Sequence, residues 1–236
     1  MNIAAIVQAR MDSVRLPGKA MCEMAGKPVL QYLLESLQNC CCLDGIIVAT
    51  SVKSSDKPIV DLCDRLNVKY YRGDVSNVAS RFAEILDKYG FEAFVRASAD
   101  SPLLDCGLVK KAVTIFKEGK FEIVTNVLKR TYPSGQSVEV MSAKTFKDGY
   151  KLIKDPDDLE HVTKYFYRNS GRFKIFNIES SEDFSAIDLS LDVKEDFDVM
   201  SSIAGLMDKP HWRYGMTDIV SMYKKVLKDV KARQLL

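Results

Sequence analysis

A regular alternation through the first half of the chain constrains its fold more than any other feature. Short apolar runs rich in β-branched residues alternate with longer segments whose apolar residues recur at helical spacing. Residues 3–8 (IAAIVQ) and 45–49 (GIIVA) read as buried strands, and residues 68–71 and 93–96 as two more. Helices are expected at 28–38, 56–66, 78–89 and 108–118. In the first of these, Val29, Leu30, Leu33, Leu34 and Leu37 share one face. Pro28 and Pro58 suit first helical turns, and Gly90 suits a helix stop. Strands alternating with helices build βαβ units, and hence a mostly parallel sheet covered by helices. Such sheets bind ligands outside the carboxyl ends of their strands. Functional residues are therefore expected just after strands.

The second half is mixed. Residues 122–126 and 137–141 read as strands around a loop at 130–135, and residues 173–178 as another strand. Helices are expected at 158–167, 194–207 and 217–230. No internal repeat, low-complexity tract or linker is visible. The simplest organisation is one α/β domain over 1–236, with a small β-excursion around 119–140 that offers a place for partner contacts.

A net charge of +2 over 236 residues is too small for a general nucleic-acid binder. An anionic ligand then needs a local cluster of cations. No segment reads as a membrane span or signal peptide, since the apolar N-terminus lacks a preceding basic segment. Six cysteines, three of them consecutive at 40–42 and none in a CxxC pair, fit reduced thiols in a cytoplasmic protein.

The cation cluster follows the first strand. Gln8-Ala9-Arg10-Met11-Asp12-Ser13-Val14-Arg15-Leu16-Pro17-Gly18-Lys19 holds three cations and only one acid, Asp12. Pro17-Gly18 forces a turn. Forked arginine donors, a lysine point charge, the Ser13 hydroxyl and backbone amides suit a polyphosphate. The loop matches neither the Walker A pattern nor the GxGxxG fingerprint. A matching acid lies in Arg96-Ala97-Ser98-Ala99-Asp100-Ser101-Pro102, where Asp100 follows the strand at 93–96. Mg²⁺ on a triphosphate takes one or two carboxylates beside phosphate oxygens and water. Asp105, nearer the next helix, reads as that helix's cap.

The string from Gln8 to Lys19 resembles the N-terminal signature of the CMP-sugar-acid synthetases, the acylneuraminate and 3-deoxy-octulosonate cytidylyltransferases. It is most similar to their spore-coat-polysaccharide-type branch. Gly26-Lys27-Pro28, residues 133–140 and Glu160-His161-Val162-Thr163 extend the resemblance. The resemblance implies a single Rossmann-like (GT-A-like) nucleotidyltransferase domain. It also implies Mg²⁺-dependent transfer of CMP from CTP to a sugar acid, release of pyrophosphate, and a homodimer. Arg10, Lys19 and Asp100 would be catalytic. Ala9, Arg10, Ser13, Arg15, Lys19, Arg72, Arg81, Ala97 and Ser98 would bind the nucleotide, Ala97 and Ser98 chiefly through their backbone. Gln136, Glu139 and His161 would meet the acceptor, and Asp100 and Asp192 would hold the metal. Asp192 lies in Leu191-Asp192-Val193-Lys194-Glu195-Asp196-Phe197, similar to the family's Asp-Thr-Pro-Glu-Asp-Leu stretch but with Val-Lys for Thr-Pro. Asp188 and Asp196 are rivals, and Asp196 reads better as an acid at a helix N-terminus.

Three other readings stay open at this point. A sugar-1-phosphate nucleotidyltransferase would need a further cation cluster, with Lys129 and Arg130 as its members. A glycosyltransferase would show a DxD motif, which Asp196-Phe197-Asp198 matches formally inside an expected helix. A non-catalytic relative would keep the fold alone.

Overall fold

Each apolar run of the first half becomes a strand of one sheet in the computed structural model, which describes residues 1–234. In chain order come β1 (Ile3–Gln8), a small hairpin of β2 (Glu23–Met24) and β3 (Lys27–Pro28), α1 (Val29–Gln38), β4 (Gly45–Ser51) and α2 (Lys57–Arg65). There follow β5 (Lys69–Gly73), α3 (Val78–Tyr89), β6 (Ala93–Ser98), α4 (Cys106–Lys117), β7 (Ile123–Thr125) and β8 (Glu139–Ser142). The chain then runs through α5 (Ala143–Tyr150), α6 (Pro156–Glu160), α7 (Lys164–Arg168), β9 (Ile175–Asn177), α8 (Lys194–Gly205) and α9 (Met216–Gln234).

The main sheet has the order β5-β4-β1-β6-β8-β7-β9. β1 pairs in parallel with both β4 and β6, so the chain leaves β1 toward one edge and returns on its other side. That reversal is a topological switch point, and a crevice opens there beyond the strand ends. β8 runs antiparallel to β6, and its register sets Glu139 opposite Arg96. An antiparallel strand thus brings its first residue to the carboxyl end of its neighbour.

The core lies on both faces of the sheet. Along β1, Ile3, Ala5 and Val7 face one apolar layer with α1, α4 and α8, while Ala4 and Ile6 face the other with α3 and α5. This is the period-two alternation of a strand buried on both sides. Each fully buried Ile or Val there contributes roughly 1.5–3 kcal/mol.

Two local expectations change. The single helix expected at 158–167 is two short ones, broken at Val162, whose φ is 51°. Val162 is buried in the core while Glu160 and His161 line the crevice, and a continuous helix would not divide these neighbours in that way. Helix α5 and the β2–β3 hairpin carry too few periodic apolar residues to be read in advance.

Candidate active site

The chain leaves β1 at Gln8 and enters the cationic loop at the switch point. Met11 organises the loop: its carbonyl accepts from Ser13 N and Gly18 N, both at 2.9 Å. Gly18 sits at φ 73°, a left-handed conformation that favours glycine. Met11 N in turn donates to Asp56 Oδ1 at 2.8 Å. Asp56 is buried and also accepts from Thr50 Oγ1 (3.0 Å), Ser51 N (3.0 Å) and Ser51 Oγ (2.5 Å). Burial alone pushes the Asp56 carboxyl up, but these donors outweigh it and hold it below the usual carboxylate range. Asp56 therefore pins the loop to the end of β4. Its place just before a Lys-Pro helix start reads as an ordinary cap, so sequence reasoning missed it.

Three distant segments meet at Lys19. Its Nζ donates to Asp192 Oδ1 at 2.9 Å and Leu191 O at 2.8 Å, and lies 3.4 Å from Asp100 Oδ2. Arg15 Nη2 pairs with Asp192 Oδ2 at 2.9 Å, and Leu191 N donates to Asp100 O at 2.8 Å. The Asp192 segment is docked by Ser134, which accepts from Leu189 N (3.0 Å) and donates through its own N to Ile187 O (3.1 Å). Gly135 permits that approach, because a Cβ there would lie 2.3 Å from Leu189 O. Two carboxylates that share one ammonium nitrogen form a hard-oxygen pair of the kind Mg²⁺ accepts beside phosphate and water. Among the described residues, no group of three His, Cys, Asp or Glu side chains forms a complete protein cage.

The crevice around this cluster has a volume of about 540 Å³. Ala9, Arg10, Ser13, Arg15, Lys19, Arg81, Ser98, Asp100, His161 and Asp192 all line it. Arg10 Nη2 reaches Glu160 Oε1 at 2.6 Å. Arg81 forms part of a wall: it is 1% exposed and donates to the carbonyls of Asp74 and Val75 at 2.6 and 2.8 Å. Burial holds its pKa below the ordinary arginine value.

Three expected side-chain contacts, Arg72, Gln136 and Glu139, stand elsewhere. Arg72 is on edge strand β5, where its guanidinium donates to the carbonyls of Ser51, Val52 and Lys53 at 2.7–3.0 Å. It closes the turn after β4. Ala97 alternates with Ser98 along β6, so its side chain points into the core and its backbone is the part that remains for a base, as expected of it. Gln136 is fully buried; it accepts from Asp105 N at 2.9 Å and donates to Leu103 O at 2.7 Å. Glu139 lies behind the wall, 2.5 Å from Arg96 Nη1 and 2.7 Å from the Tyr167 hydroxyl that donates to it. Burial pushes the Glu139 carboxyl up, yet the Arg96 guanidinium and the hydroxyls of Tyr167 and Thr163 hold it below the usual range. The same burial and the Glu139 charge push the Tyr167 hydroxyl pKa well up.

Besides Asp56, the residues missed in advance are Arg96 and Glu160, which line the crevice together with Arg130, expected only in the sugar-1-phosphate reading. For Arg96 a signal existed, since it ends a strand beside the Asp100 turn. The rival acids are engaged otherwise. Asp196 accepts from Asp192 N and Val193 N, both at 2.9 Å, at the start of α8. Asp188 accepts from Ser190 N (2.8 Å) and Ser190 Oγ (2.5 Å), and Asp198 pairs with Lys194 along α8. The DxD pattern is thus helix surface. A separate hollow of about 800 Å³ between α3 and α5 holds Lys147–Asp87 and Lys144–Asp148 pairs, with no converging free group.

Residues 4–219 match the cytidylyltransferase family. The chain belongs to that family. This cytidylyltransferase is 26% identical over 211 residues to the spore coat polysaccharide biosynthesis protein SpsF of Bacillus subtilis, covering 86% of each. It is 30% identical over 155 residues to the 3-deoxy-manno-octulosonate cytidylyltransferase of Geobacter sulfurreducens, covering 64% of this chain and 61% of that one. It is similar to a solved cytidylyltransferase from Leptospira borgpetersenii, with a TM-score of 0.90, 25% identity, and coverage of 95% and 94%. The resemblance carried by Gln8–Lys19 therefore identified the family of the enzyme. Among the described residues, no helix is long and apolar enough to cross a membrane.

Proposed function

We propose that this cytidylyltransferase transfers CMP from CTP to a hydroxyl of a sugar acid, in the biosynthesis of a surface polysaccharide or related glycan. The observation that carries this reading is the meeting of Asp100, Asp192 and Lys19 at the switch point, beside Arg10 and Arg15. The triphosphate lies along the cationic loop. Its oxygens take the place of Glu160 on Arg10 and of Asp192 on Arg15, partly exposed ion pairs worth about 0–1 kcal/mol each. Asp100 and Asp192, freed from the cations, would hold Mg²⁺, which when bound neutralises phosphate charge. The acceptor oxygen forms a bond to the α-phosphorus as the bond to the β-phosphate oxygen breaks, and the hydroxyl proton passes to water or to the departing pyrophosphate. Arg10, Arg15 and Lys19 hold the departing pyrophosphate. Positioning and charge neutralisation carry such a reaction, without a covalent enzyme intermediate.

The names of the Geobacter and Bacillus relatives support the acceptor class and the setting. The test is a pyrophosphate-release screen that crosses four ribonucleoside triphosphates with sugar acids and sugar 1-phosphates, with and without Mg²⁺. Turnover is expected with CTP, a sugar acid and Mg²⁺ together. Equal turnover with all four triphosphates, or with sugar 1-phosphates alone, would overturn the reading.

A further inference from the structure

The cations around the crevice differ in what holds them. Arg10 faces Glu160, Arg15 faces Asp192, Lys19 faces Asp100 and Asp192, and Arg96 faces Glu139. Arg81 is buried against two carbonyls. Arg130 is different. Its Nη1 and Nη2 both donate to a single oxygen, Ser137 Oγ, at 3.2 and 3.3 Å. No ion pair to an acid is formed by it among the described residues. A guanidinium edge that shares one hydroxyl is poorly matched, because its two parallel donors suit two coplanar oxygens.

Its position is equally informative. Arg130 and Ser137 belong to the excursion between β7 and β8, and both line the crevice. In the sheet order β1-β6-β8-β7, that excursion lies across β6 from the phosphate loop after β1. Asp100, at the end of β6, stands between the two sides. A triphosphate on the β1 side therefore leaves the β8 side for the second substrate.

We propose that Arg130, steadied by Ser137, binds the carboxylate of the acceptor through a two-point contact and so selects sugar acids. This rests on the cytidylyltransferase reading of the crevice and adds which group recognises the acceptor. A carboxylate, with one negative charge and two coplanar oxygens, matches one guanidinium. A phosphate dianion calls for a second cation. The neighbouring Lys129 does not supply it, since it turns outward to Glu179 at 2.6 Å and is 72% exposed.

The experiment compares wild type with Arg130→Gln and Arg130→Lys. CTP affinity is measured first by calorimetry with Mg²⁺. The probes are then 3-deoxy-manno-octulosonate and its carboxamide, titrated in the presence of Mg²⁺ and a non-hydrolysable CTP analogue. Turnover is followed for the best sugar acid of the screen. Arg130→Gln is expected to weaken binding, or raise KM, for the acid by roughly 10- to 100-fold, the scale of a lost charge-assisted bidentate contact. CTP affinity and Tm should be unchanged, and Arg130→Lys should recover only part of the loss. Wild type should discriminate against the carboxamide, and Arg130→Gln should not. Unchanged acceptor affinity in Arg130→Gln, or a loss confined to CTP, overturns the assignment of Arg130. Normal CTP binding with no affinity for any sugar acid overturns it too, while leaving CTP as the donor. Failure to prefer CTP would instead overturn the underlying reading.

Discussion

Two acid–cation assemblies sit within one crevice region, and their differences are instructive. In the Lys19 cluster, the side chains of Asp100 and Asp192 are 29% and 30% exposed, and each faces a cation that an incoming phosphate can take. In the Arg96–Glu139 pair the glutamate is 4% exposed, its second oxygen is held by Tyr167, and that hydroxyl also meets Thr125 at 3.0 Å. Exposure separates the roles. A half-exposed pair exchanges partners at little cost, whereas a closed buried pair fixes the wall that the first assembly works against.

The most severe way to break the comparison is to remove the buried acid. Glu139→Gln leaves Arg96 uncompensated, and breaking a buried pair on one side costs about 3 kcal/mol or more. Denaturant unfolding should show that loss. A change below about 1 kcal/mol would mean that Arg96 relaxes into the crevice water and that the pair is not structural.

The next perturbation falls on the open cluster. Asp100→Asn keeps shape and removes charge, and should leave unfolding unaltered. The transition state should lose about 2.7 kcal/mol, roughly 100-fold in kcat, the scale for one principal electrostatic stabiliser. Pyrophosphate release measured against Mg²⁺ concentration checks it, and full metal-dependent turnover would remove Asp100 from the site. Asp105 would be a poor neutral control for this variant. It caps α4 through Gly107 N at 2.6 Å, but its other oxygen accepts from Met216 N at 2.9 Å.

The mildest probe is pH. The Glu139 carboxyl is held below its unfolded value, so its stabilisation is complete above the ordinary glutamate range and fades as pH falls through the lowered folded value. Asp56 acts in the same direction. Stability should therefore drop on the acid side, and Glu139→Gln should flatten part of that slope while the Asp56 part remains. Identical slopes in wild type and variant would mean that Glu139 does not titrate with folding.

Much of this organisation is legible in the chain itself. The short apolar runs of β1, β4 and β6 are a local property, distinct from helical segments whose burial repeats every 3.6 residues. They give the parallel half of the sheet, and with it the strand ends where Arg10, Arg15, Lys19 and Asp100 had to fall. Arg72 and Gln136 were misplaced for the opposite reason. Their residue types suit a ligand, but nearby carbonyls and amides satisfy them, and no sequence spacing reveals those neighbours.

By itself the sequence determined the strand–helix alternation, the cationic loop, the strand-end aspartate and, through an ordered string of motif residues, the family. Only the tertiary structure decided that β8 runs antiparallel and sets Glu139 behind Arg96. It gave Asp192, which the motif resemblance had only assigned to the metal, its contact with Lys19 across 173 residues, and it left Arg130 without an acid among the described residues. Hydrophobic periodicity specifies which face of an element is buried. The partner of a charged side chain is set by whichever donor or acceptor lies within about 3 Å in space, and that distance exists only once the chain has folded.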